Sequence, residues 1–68
     1  MTYASINFRT KKAFREAVKR GETVTLFEPG LGRVPVEGRA YVEGPWYPEP
    51  HRWYAEVEVV EGRVVKVR

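Results

Sequence analysis

The stretch from Gly44 to Tyr54, GPWYPEPHRWY, restricts this chain more than any other part of it. It holds four of the nine aromatic residues (Trp46, Tyr47, Trp53 and Tyr54), three of the five prolines and the single histidine, His51. Prolines remove backbone freedom from the unfolded chain, and large rings bury much area per residue. Residues that precede a proline are pushed out of the α region, so the Glu49-Pro50 step favours extended, polyproline-like backbone. Such a segment is built to hold one defined shape. Two uses for it stand open: its tryptophans seal the end of a small barrel-like core, or its rings present a stiff recognition surface to a partner.

The chain around it is short. Sixty-eight residues make one domain, residues 1–68, and bury only roughly 60% of the unfolded surface. No cysteine is present to form a disulfide, a thiolate nucleophile or a zinc ligand. No apolar run approaches the roughly 20 residues that span a bilayer, and the start has no signal-peptide pattern, so a cytoplasmic protein without a membrane partner is expected. All nine acids are Glu, Gln is absent, and eight Arg stand against four Lys, a thermophile-like usage.

Periodicity supplies the elements. Tyr3 to Phe8 alternates, with Ala4, Ile6 and Phe8 on one side, which predicts a short strand. Thr10 reads as an N-cap, Lys11 to Arg20 as a helix, and Gly21 as its left-handed stop. Ala13, Phe14, Ala17 and Val18 form the apolar face of that helix. Glu16 is placed to reach Arg20. Thr23 to Glu28 predicts a strand with Val24 and Leu26 on one side and Phe27 on the other, followed by a Glu28-Pro29-Gly30 turn in which Gly accepts positive φ. Arg33 to Glu43 has strand character broken by Pro35 and Gly38. Arg52 to Val60 is the clearest strand, and Val64 to Arg68 closes the chain.

The last connection invites a register argument. A two-residue Glu61-Gly62 turn pairs Val57 with Lys66 and mixes charged and apolar groups on each face. A three-residue loop, Val60-Glu61-Gly62, pairs Val57 with Val65 and Ala55 with Val67, and puts Gly62 where a G1 bulge needs positive φ. The second register is expected. The tetrapeptide Val-Glu-Gly-Arg occurs at Val36 to Arg39 and again at Val60 to Arg63, which suggests one turn chemistry used twice. The first copy either joins Val34 to Ala40 in a small hairpin or marks a bulge at Gly38. The resulting order is β-α-β-β-β-β: an α+β domain with one helix packed on a mostly antiparallel sheet. The other face of that sheet is then covered by the loop, free for binding, or paired in a homodimer.

Catalytic chemistry finds little to work with. His51 has no second histidine, aspartate or cysteine to complete a metal site or a triad, and Glu49 is its only nearby acid in sequence. A histidine that bonds a backbone carbonyl in a rigid loop is the expected role. Ser5, the only serine, lies in a predicted strand. Gly30 to Arg33, GLGR, lacks the third glycine, the lysine and the following helix of a phosphate loop, and reads as a turn. No enzyme and no cofactor are expected. Residues 9–20 carry six bases against one acid, and Lys11, Lys12, Arg15 and Lys19 cluster on one helix face. That face offers nucleic-acid binding as an alternative to an ordinary solvated surface, although eight glutamates in residues 21–62 oppose it unless they face away.

The helix segment FRTKKAFREAV, the FEPG turn and the pattern EGP-x-YP-x-PH-x-WYA (Glu43 to Pro45, Tyr47-Pro48, Pro50-His51, Trp53 to Ala55) together resemble a family of short uncharacterised proteins common in bacteriophage genomes. The resemblance spans nearly the whole chain and implies one small domain without a known activity. Where that pattern commonly has histidine, this chain carries Trp46. The reading that combines these observations is a non-enzymatic module, phage-derived, that recognises an unknown protein partner through Trp46, Tyr47, His51 and Tyr54. Trp53 falls in the inward series with Ala55, Val57 and Val59 and belongs to the core.

Overall fold

The structure, a computed structural model, describes residues 2–30 and 32–68. Its elements run β1 (Tyr3–Ala4), α1 (Lys11–Lys19), β2 (Leu26–Phe27), β3 (Gly38–Gly44), β4 (Trp53–Val60) and β5 (Arg63–Val67). All pairings are antiparallel: β1 with β2 in one sheet, and β3-β4-β5 in the other. The fold is therefore α+β, with the expected element order. Isolated bonds nearly join the two sheets into a ring. The Glu43 amide donates to the Thr2 carbonyl at 2.9 Å, the Val64 amide donates to Val24 at 2.8 Å, and Thr25 bridges Arg63.

Helix α1 forms for the reasons its sequence states. The Thr10 hydroxyl accepts from the Ala13 amide at 3.1 Å, which satisfies one of the free donors of the first turn. At the other end Gly21 has φ +84, its amide bonds Val18, and the Glu22 amide bonds Ala17, a Schellman closure. Phe14 and Ala17 are fully buried and Val18 half-buried, whereas Ala13 is exposed. The Arg20 guanidinium pairs with Glu22 rather than with Glu16. Phe14 packs between Phe8 and Trp53, with ring centroids 5.2 and 5.5 Å away. Val24, Val42, Val57, Val59 and Val64 complete the centre of the core.

The N-terminal strand is shorter than its alternation suggests. Only Tyr3 and Ala4 pair, both are buried, and Ile6 is exposed. The Ser5 amide still donates to the Thr25 carbonyl at 2.8 Å, and beyond it the segment reaches α1 as irregular backbone. The 33–43 strand likewise begins only at Gly38, with Val34 to Val36 outside it, so no Val34 to Ala40 hairpin forms. Gly38 has φ +96 and starts the strand. Gly30 lies in a bend without positive φ, and Leu31 of the expected GLGR turn lies outside the described residues.

The β4–β5 register differs from the expected one. The loop is the two-residue Glu61-Gly62, with Val60 paired to Arg63 and φ of 51 and 78 at the two loop positions, as a type I′ turn requires. The apolar phase is then corrected inside the strand. Val59 pairs with Val64 but Glu58 with Lys66, so Val65 is the extra residue of a bulge. Val64 is buried, Val65 exposed and Val67 half-buried. The conflict between turn chemistry and apolar register is real, and a bulge resolves it instead of a longer loop. The two Val-Glu-Gly-Arg copies meet at this end: the Gly62 amide donates to the Val36 carbonyl at 2.9 Å, and the Glu61 amide to Glu37 Oε1 at 3.1 Å.

Candidate functional site

The loop between β3 and β4 cannot form a ladder, so its polar backbone must be satisfied by other means. The aromatic residues and the N-terminal segment do this together. Trp46 donates its amide to Asn7 Oδ1 at 2.8 Å and its indole N–H to the Ala4 carbonyl at 3.0 Å. Trp53 donates its indole N–H to the Phe8 carbonyl at 3.1 Å. The Tyr47 amide donates to the Tyr3 hydroxyl at 3.0 Å. The loop is closed across its base by the Arg52 amide on the Gly44 carbonyl at 2.7 Å. The Gly44-Pro45 and Tyr47-Pro48 peptides are cis.

His51 lies behind this arrangement. Its Nδ1 is 3.0 Å from Glu43 Oε2, and its Nε2 is 2.8 Å from the Tyr3 hydroxyl. With Nδ1–H donated to the carboxylate, Nε2 accepts the Tyr3 O–H, and Tyr3 Oη in turn accepts from Tyr47. The partners of His51 are thus Glu43 and Tyr3, not a backbone carbonyl and not Glu49. Glu49 instead faces Arg9 at 3.6 Å. The Ser5 hydroxyl is also engaged, accepting from the Thr25 amide at 3.1 Å.

In front of Tyr3 the rings enclose a groove of about 510 Å³, bounded by Tyr3, Phe27, Trp46 and Tyr47 and closed along one lip by Glu28 to Gly30. Phe27 stands edge-on to Trp46, with centroids 5.5 Å apart and planes at 83°, and is tilted against Tyr3 at 5.6 Å. Two roughly perpendicular ring walls result. Glu28 is the one charged side chain lining the groove among the described residues, and its Oε2 accepts from the Thr2 hydroxyl at 3.2 Å.

The residues expected to bind a partner are therefore distributed unequally. Trp46 is half-buried and forms a wall of the groove, while Tyr47 is 74% exposed at its mouth. His51 does not line the groove but holds Tyr3, which does. Tyr54 lies elsewhere, 67% exposed on the outer face of the three-stranded sheet opposite Glu43, on the same face as Tyr41. Tyr3, Phe27 and Glu28 are the groove residues that sequence reasoning missed. The isolated outward ring of Phe27, next to a Pro-Gly bend, was the available signal.

The basic residues of α1 form a different surface. Lys12 and Lys19 are exposed, Lys11 and Arg15 half-buried. The helix packs on the inner face of the sheet, whereas Tyr41 and Tyr54 occupy the outer one. Glu56 and Glu58 lie on that outer face too, paired with Arg39 and Arg68 at 3.2 to 3.7 Å. No helix among the described residues is long and apolar enough to cross a membrane. No family model, curated protein or solved structure matches the chain significantly.

Proposed function

We propose that this protein is a small cytoplasmic, non-enzymatic binding module that docks an extended segment of a protein partner in the groove between Trp46 and Tyr47 of the loop and Tyr3 and Phe27 of the N-terminal half. The observation that carries this reading is the groove itself: about 510 Å³ of ring-walled space whose most exposed ring, Tyr47, is positioned through its backbone and leaves its side chain available. Rigid aromatic walls supply contact area at low entropic cost, which is how extended peptides are gripped. The non-catalytic part of the proposal draws support from His51, both of whose ring nitrogens have partners, and from Ser5, whose hydroxyl bonds backbone. A phage origin, implied by the resemblance of the EGP-x-YP-x-PH-x-WYA segment, belongs to the same proposal.

Selection of a random 12-residue peptide library on the immobilised protein tests the reading. Enriched peptides should shift the amide resonances of Phe27, Trp46 and Tyr47 in a ¹⁵N-labelled sample. A library that yields no enrichment, or peptides that shift only the helix or the outer sheet face, would refute it. The basic-helix alternative has less support, because Tyr41 and Tyr54, two exposed rings that could stack on bases, lie across the sheet from Lys12 and Lys19.

A further inference from the structure

We propose that β3 is the contact strand of a symmetric dimer: its free edge pairs antiparallel with the same edge of a second copy, setting Arg39 of each chain opposite Tyr41 of the other. The two three-stranded sheets then become one. The Glu43 amide donates away from β4, to the Thr2 carbonyl at 2.9 Å. Direction alternates along a strand, so the amides and carbonyls of Arg39 and Tyr41 point to the same free side, while Ala40 and Val42 bond β4. No backbone group among the described residues meets those of Arg39 and Tyr41 on that side. The opposite edge of the sheet is closed differently. There the Val64 amide is taken by Val24, Thr25 bridges Arg63, and the bulge at Val65 interrupts the rest. By contrast β3 keeps one register with β4 over its 7 residues, with neither proline nor bulge. A regular open edge of this kind is a template for a further strand.

The occupant is a second copy because the edge complements itself, and it does so in one register. A two-fold axis beside Tyr41 would set Arg39 opposite Glu43, whose amide Thr2 already occupies. An axis beside Arg39 would set two guanidinium groups directly opposite each other, which is unfavourable. An axis beside Ala40 sets Arg39 opposite Tyr41 on both sides of the symmetry, and each such pair exchanges both of its backbone hydrogen bonds. Each guanidinium then lies beside a ring that is 69% exposed in the single chain, an attractive cation–ring contact made twice. The two Arg39 side chains become only diagonal neighbours in this register, and each keeps its own Glu56 at 3.7 Å.

Sedimentation equilibrium of the wild-type protein tests the assembly, and cysteine pairs test the register. The mass should rise with concentration from the 7.9 kDa of one chain toward twice that value. Tyr41→Pro removes an outward N–H that an isolated edge strand can spare, and should weaken dimerisation about tenfold or more. The chain has no cysteine of its own, so single substitutions report which residues meet. Arg39→Cys mixed with Tyr41→Cys should form the mixed disulfide faster than either variant links to itself, because hydrogen-bonded partners lie about 5.5 Å apart between Cα atoms, within disulfide reach. A wild-type mass that stays at one chain across all concentrations would overturn the proposal. So would self-linking of either variant as fast as the mixed reaction, or a folded Tyr41→Pro variant that dimerises like the parent. The wild-type mass and the disulfides decide the matter even where Tyr41→Pro folds poorly.

Discussion

The two ends of the three-stranded sheet are held by different physics. At the end where β4 turns into β5, the strands close through a tight turn and backbone bonds, and the side chains behind it are valines: Val57, Val59 and Val64. Their contribution is transfer free energy, which depends on area and little on orientation. At the end where β3 leaves for the loop, side-chain groups satisfy irregular backbone. Two indole N–H groups, a tyrosine hydroxyl and an asparagine carbonyl reach amides and carbonyls that no ladder serves. The valine end tolerates changes in detail, whereas the aromatic end depends on particular atoms. That difference explains why a stiff loop rich in Trp and Pro can be part of the fold and still present a surface.

Two glycines, one at each end, break the comparison most sharply. Gly44 pairs with Trp53 across the β3–β4 ladder, and a Cβ there would stand 2.2 Å from the buried indole. Gly44→Ala must displace the ring from Phe14 and from the Phe8 carbonyl, and should cost about 3 kcal/mol or more. Gly62 has φ +78 and open space around its Cβ position, so Gly62→Ala should cost only the left-handed strain, about 1 kcal/mol. Urea denaturation of the two variants measures the gap. Equal losses would mean that the indole does not lie over Gly44.

A smaller effect probes the hydrogen-bonded chain behind the groove. Tyr3→Phe keeps the ring against Phe27 but removes the hydroxyl that accepts from Tyr47 and bonds His51. The Tyr47 amide and His51 Nε2 each lose this partner, so stability should fall by about 1–2 kcal/mol. Resonance changes should concentrate at Tyr47, His51 and Glu43 rather than in the valine core. A variant as stable as the parent would show that water replaces the hydroxyl fully.

How much of this was legible in the sequence follows the same division. The helix with its caps, the inward series of β4 and the burial of Trp53 rest on local periodicity and turn chemistry, and the structure has them where the residues predict. The β4–β5 register failed because two local rules, a type I′ turn at Glu61-Gly62 and continuous apolar phase, could both be met by a bulge at Val65. Tyr3 to Phe8 failed because alternation cannot tell a paired strand from irregular chain whose carbonyls serve distant indoles. The groove was half legible. Trp46 and Tyr47 stand out by composition, but Tyr3, Phe27 and Glu28 reach them only through long-range packing, from 18 or more positions away along the chain. His51 drew attention as a titratable group, and only the fold gives it Glu43 and Tyr3 as partners.

The smallest expected change in stability is the one that matters most for the proposed recognition. Trp46 and Tyr47 are adjacent, and both looked like surface rings between prolines. The structure separates their duties: Trp46 spends its indole N–H on the Ala4 carbonyl, while the Tyr47 ring is 74% exposed and its amide does the anchoring. Trp46→Phe should therefore cost about 1 kcal/mol through the lost hydrogen bond. Tyr47→Ala leaves the anchoring amide in place and should change stability by less than about 0.5 kcal/mol. The same Tyr47→Ala variant should lose capture of library-selected peptides, because it removes the ring at the mouth of the groove. Thermal melts run beside peptide titrations separate the two roles. A Tyr47→Ala variant that melts as early as Trp46→Phe would assign the tyrosine ring to the structural frame of the aromatic end, and recognition would then have to fall on Phe27 and Glu28.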